Sequence, residues 1–125
     1  CLCNYRLSGN QGLLKWAQAV GKRYLAEAFP DQVAVPAMDA GMGLGLLADL
    51  YDVTGDDTWR TGGLARAEEL VARYFGDSDL PAGASGIDWY ESQMGPGFLL
   101  HGLARLALLA EHGKDCPLGP DYTGR

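Results

Sequence analysis

The residues with the most chemistry in this chain form one run, Asp88-Trp89-Tyr90-Glu91-Ser92-Gln93. It joins two carboxylates, two aromatic rings and an amide. Carboxylate pairs suit glycoside hydrolysis, in which one acid protonates the leaving oxygen and the other assists attack. Trp89 and Tyr90 offer flat faces for a sugar ring and Gln93 a polar contact, so these three are candidate substrate-binding residues. Asp88 and Glu91 are candidate catalytic residues, joined by Asp39 and His101. A histidine is the side chain whose ordinary pKa lies nearest neutrality, which makes His101 the best single acid/base candidate. Each residue also has a plainer role open to it. Trp89 and Tyr90 can pack on neighbouring helices, and Asp88 and Glu91 can favour the dipole of a nearby helix N-terminus. Asp39 can cap a helix, and His101 can be a hydrogen-bonded core histidine. His112 is read as structural, at a helix C-terminus.

The elements that must position these groups read as helices. Leu13, Trp16, Ala17, Val20, Tyr24 and Ala28 recur at steps of three and four, predicting an amphipathic helix over 12–29. Pro30-Asp31 ends it, and 32–38 is a connector. A second helix is predicted over 40–53, then the stop-and-start sequence Thr54-Gly55-Asp56-Asp57. There Gly55 suits the left-handed C′ position and an aspartate the next N-cap. A third helix, 57–75, puts Leu64, Ala67, Leu70, Val71, Tyr74 and Phe75 on one side, with Arg60, Arg66, Glu69 and Arg73 largely on the other. Residues 76–86 form a turn-rich loop. The last helix, 97–112, is apolar nearly all round and is expected to be buried on most sides. The tail 116–125, with its prolines and glycines, reads as irregular, and no stretch alternates like a strand. The fold class is therefore all-α, built of antiparallel helical hairpins. Asp39 and the 88–93 run both fall just before or at a helix start.

Those starts share a glycine-rich pattern: SGNQGLL at 8–14, DAGMGLGLL at 39–47 and MGPGFLLHGLARLALLA at 94–110. Recurrence after a few tens of residues is the mark of a repeat architecture. Glycine costs about 1 kcal/mol relative to alanine inside a helix. The cost is justified by close approach of neighbouring backbones or by a turn of positive φ. GNQGLL (9–14), AGMGLGLLADLYDVTGDD (40–57) and HGLARLALLA (101–110) resemble the lanthionine synthetase C-like family, the cyclase domains of lanthipeptide synthetases. The YxxTGD-type turn and glycine-started helices are also similar to those of six-hairpin glycosidases. The resemblance implies part of an α/α toroid, with one single helical-repeat domain over 1–125 that is a fragment or a partial ring. For the first family it implies addition of a peptide thiol to a dehydrated residue. Zinc-dependent members hold the metal with two cysteines and a histidine set before the helix-start glycines. Here Leu7-Ser8, Met38-Asp39 and Leu100-His101 stand there, and only His101 is a ligand type. No metal ligand is therefore assigned, and zinc is expected only if its ligands lie outside this chain.

Ten basic and sixteen acidic residues give a net charge of −6, which argues against a nucleic-acid or anionic-membrane partner. GMGLG and GPG are not phosphate loops, since no Lys-Ser/Thr follows and no strand precedes them. No apolar run reaches the roughly 18 residues of a membrane span. The first residues lack a signal-peptide core, and Cys1 fits a fragment boundary better than a processed lipoprotein. Three cysteines, an odd count with Cys116 far from Cys1 and Cys3, suit a reduced, cytoplasmic chain. Three functions fit these residues. One is a lanthionine-cyclase-like domain acting on a peptide, one a carbohydrate-active toroid acting on a small saccharide, and one a non-catalytic scaffold. A partner chain or further copies are expected to complete the fold.

Overall fold

A computed structural model of the protein describes residues 1–121. It is all-helical: α1 (Leu2–Ser8), α2 (Gln11–Ala26), α3 (Ala37–Thr54), α4 (Asp57–Tyr74) and α5 (Pro96–His112). Short 3-10 turns at Ser92–Met94 and Gly113–Asp115 flank α5. Among the described residues the only extended pairing is an isolated bridge between Pro36 and Ala84. The last four residues of the tail lie outside the described residues.

The helix boundaries follow from local chemistry. The Asn10 side chain accepts the Gly12 N–H at 2.9 Å and starts α2. Gly55 ends α3 in the left-handed region (φ 67°), and Asp56 caps α4 through the Thr58 N–H at 3.0 Å. That backbone donor holds the Asp56 carboxyl below its ordinary range. Helix α2 stops at Ala26, short of the expected 29, because its last carbonyls find a partner elsewhere. Arg66 Nη2 donates to Tyr24 O at 2.9 Å and to Glu27 O at 2.7 Å. Arg66 thus departs from the polar side that the spacing assigned it. It is buried, with its guanidinium over the Tyr24 ring. Helix α1 has too few residues to show a period in sequence. It is held from outside, by the buried Leu2 and by Arg6 Nη2 donating to Asp52 at 2.6 Å.

Helix α3 is the centre. Leu44, Leu47 and Leu50 are fully buried on it, each stabilising by about 2 kcal/mol through apolar burial. One side joins Leu70 and Tyr74 of α4 and Leu99 and Leu106 of α5. The other joins Ala17 of α2, Trp59 of α4 and Leu2. Helices α3 and α5 touch backbone to backbone. A Cβ on Gly41 would lie 2.2 Å from the Phe98 carbonyl carbon, and one on Gly102 would lie 2.8 Å from Gly41 O. Further along, Asp49 of α3 meets Arg105 of α5, so the two helices run in the same direction. The expected all-round burial of α5 is not complete: Leu100 is 43% exposed, and Ala104 and Ala107 are exposed with it.

Candidate functional site

The chemistry-bearing loops meet where α4 ends and α3 and α5 begin. Tyr74 Oη donates to Val35 O at 2.7 Å, and Ala82 N to Tyr74 O at 2.6 Å. Ser85 N donates to Val35 O at 2.9 Å, and Ala37 N to Gly83 O at 2.8 Å. Gly83 N then donates to Trp89 O at 3.1 Å, and Val35 N to Ser85 Oγ at 3.0 Å. These bonds pair several of the backbone donors and acceptors of a loop whose residues 81–85 are buried. Gly95, at φ 65°, turns the chain into α5 against the Met38 side chain. The loop is therefore a built frame, and residues 87–95 hang from it.

Within that frame Asp88, Trp89 and Tyr90 line one hollow of about 450 Å³, together with Arg73, Asp77 and Ile87. Trp89 is 59% exposed and Tyr90 50% exposed. Arg73 is held from outside the hollow. Its Nη1 donates to Asp31 at 2.6 Å and its Nη2 to Glu69 at 3.0 Å, with the guanidinium over the Phe29 ring. The Asp31 bond raises its pKa further above the ordinary arginine value. Glu91 is engaged elsewhere, for its Oε1 accepts the Gln93 N–H at 3.0 Å and caps the Ser92–Met94 turn. The Gln93 side chain is exposed beside that turn.

Asp39 is exposed in the first turn of α3, where a carboxylate favours the helix dipole. It is not the cap: Pro36 holds that position, without a side-chain bond. Asp39 lines a second hollow of about 220 Å³ with Tyr24, Phe29, Val35 and Arg66. Burial pushes the Tyr24 hydroxyl up to about 12, and that hydroxyl is buried without a hydrogen-bond partner. Gly43 leaves room for the Tyr24 ring, since a Cβ there would lie 2.4 Å from it.

His101 lies in a third place, a cleft of about 240 Å³ along α3 and α5 that also holds Cys1, Asp49, Phe98, Arg105 and Asp121. It is half-buried, with Nε2 3.2 Å from Gly119 O. Below it, Arg105 is 2% exposed and binds Asp49 of α3. Its Nη2 also donates to Asp52 at 3.1 Å and its Nε to Leu118 O at 3.3 Å. This buried network was not legible in the sequence, where Arg105 only interrupts an apolar run. Its one signal is the spacing Asp49-Asp52, which puts two carboxylates on one face of α3. His112 is exposed at the end of α5, 3.7 Å from Glu111.

The cysteines do not complete a zinc set. Cys1 Sγ donates to Leu13 O at 3.2 Å and Cys116 Sγ to Leu118 O at 3.3 Å. Among the described residues no group of three histidine, cysteine or carboxylate side chains could hold a metal ion. No helix among them is long and apolar enough to cross a membrane. The structure thus brings Asp88, Trp89 and Tyr90 together and sets Asp39 and His101 in separate hollows. No family model, curated protein or solved structure matches the chain.

Proposed function

We propose that this chain is part of a carbohydrate-active α/α toroid and that the hollow lined by Asp88, Trp89 and Tyr90 binds the saccharide. The observation that carries the reading is the pair of half-exposed aromatic rings beside two carboxylates in one hollow. Contiguous aromatic surface lining a hollow is a mark of a binding site. Carboxylates beside it accept hydrogen bonds from sugar hydroxyls. Asp88 is the candidate acid that protonates the glycosidic oxygen, and Asp77 in the same hollow is the carboxylate that assists attack. The toroid reading is supported by α3 and α5 running the same way in backbone contact, as two inner helices of a ring do. It is supported too by faces that lack a neighbour. Leu64, Val71, Leu103 and Ala107 line an apolar hollow across α4 and α5, and Leu7 and Trp16 are exposed at α1 and α2. Further helical hairpins or further copies would cover both.

The test is saccharide binding read by tryptophan fluorescence in a Trp16→Phe background. Trp59 is buried, so Trp89 is then the exposed reporter. Neutral oligosaccharides are expected to change its emission, and Trp89→Ala to weaken their binding more than tenfold by calorimetry. Hydrolysis that survives Asp88→Asn unchanged would remove Asp88 as the acid. Binding without hydrolysis would leave a binding module.

A second reading, a lanthionine-cyclase-like domain, is favoured by one observation: Cys1 and His101 share a cleft between α3 and α5. There His101 would take the proton of a peptide thiol as sulfur bonds to the β-carbon of the dehydrated residue, and would return a proton to the α-carbon where the C=C π bond breaks. Among the described residues no set of side chains fits a zinc ion. A peptide-cyclisation assay tests this reading, and loss of cyclisation in His101→Ala is its expected result.

A further inference from the structure

We infer that the Trp89–Tyr90 hollow selects uncharged saccharides and rejects those carrying carboxylate or sulfate groups. The inference rests on the saccharide reading above and adds the class of sugar. Asp77 and Asp88 both line the hollow, beside the two aromatic rings. Its lining base is Arg73, which elsewhere would be the residue to receive a uronate. Here that guanidinium is already committed. Nη1 is bonded to Asp31 at 2.6 Å, Nη2 and Nε to Glu69 at 3.0 and 3.2 Å, and one face lies 5.0 Å over the Phe29 ring. Two carboxylates outside the hollow thus answer its charge, and two more face the ligand.

An acidic sugar entering such a site meets like charge in the lining and a guanidinium already engaged by other carboxylates. A neutral sugar meets two acceptors for its hydroxyls and two rings for its apolar face. At separations of about 5 Å in a water-like medium, each carboxylate disfavours an anion by about fourfold, or about sixteenfold for the two together. The effect fades as salt screens it.

Calorimetry with hexamers of glucose, of N-acetylglucosamine and of galacturonic acid, at low and high salt, tests the inference. The expected result is that a neutral hexamer binds at least tenfold more tightly than the galacturonate at low salt. In Asp77→Asn/Asp88→Asn the gap should shrink below threefold, whatever happens to the neutral affinity itself. Galacturonate bound as tightly as the neutral hexamers would overturn the selectivity and leave the saccharide reading standing. Failure of all three to bind the folded protein would overturn both.

Discussion

Replacing Gly41 by alanine should drive α3 and α5 apart, whereas the same change at Gly45, four residues on, should stabilise the protein. A Cβ on Gly41 would sit 2.2 Å from the Phe98 carbonyl carbon and 2.3 Å from Leu99 N. Carbon contacts settle near 3.5 Å, so the helices must separate by about 1 Å or more. The atoms struck are backbone and cannot rotate away, which puts the cost at the upper end of overpacking, about 3 kcal/mol. Gly45 lies on the same helix with nothing within 4 Å of its would-be Cβ. There alanine only restores helix propensity, a gain of about 1 kcal/mol. At roughly 4 °C per kcal/mol for a chain of this size, Tm should fall by about 12 °C in one variant and rise by about 4 °C in the other. Urea and thermal unfolding followed by circular dichroism give both numbers. A Gly41→Ala protein of unchanged stability, or a Gly45→Ala protein as damaged as Gly41→Ala, would refute the backbone contact between α3 and α5.

Arg105→Met should cost about 3 kcal/mol in urea unfolding, because it takes the buried guanidinium away from Asp49 and Asp52; a loss under 1 kcal/mol would argue against the network. Tyr24→Phe should raise stability by about 1 kcal/mol at neutral pH, since it removes a buried hydroxyl that has no partner. The same hydroxyl predicts an alkaline limit. Its folded pKa, about 12, lies above the ordinary value of 10.0. The unfolded state therefore loses this proton first, and stability is full below pH 10.0 and declines from there towards about 12. Tyr24→Phe should remove that part of the decline, and an unchanged alkaline profile would count against the burial. Sedimentation should give a mass above the 13.4 kDa of one chain at high concentration, as the uncovered faces at α4–α5 and at Trp16 associate. A well-folded monomer at every concentration would weigh against the partial-ring reading.

The parts of the fold legible in sequence were those decided within one turn of chain. Gly55-Asp56 marked the end of α3 and the start of α4 as observed, whereas α3 itself begins at Ala37, before the expected residue 40. What depended on a distant partner was hidden. Arg66 looks polar-facing until the end of α2 arrives to bond it, and Arg6 gives no hint of Asp52. Glycine spacing suggested close approach, but only packing separates Gly41, which needs it, from Gly45, which does not. At the candidate site the run Asp88-Trp89-Tyr90 was readable because neighbouring residues stay neighbours. The pairing of Asp88 with Glu91 did not follow, because Glu91 is used as a cap. Asp77 joins Asp88 through the fold of the loop, which no local spacing encodes.

The most direct test of the saccharide site is an NMR titration of the indole N–H signals of Trp16, Trp59 and Trp89 with a neutral glucose hexamer. The Trp89 signal should move in a saturable way, while that of buried Trp59 stays in place. Trp16, which is not in the lining of the hollow, should also stay in place. A Trp89 signal that does not move, or a response centred on Trp16, would contradict that site.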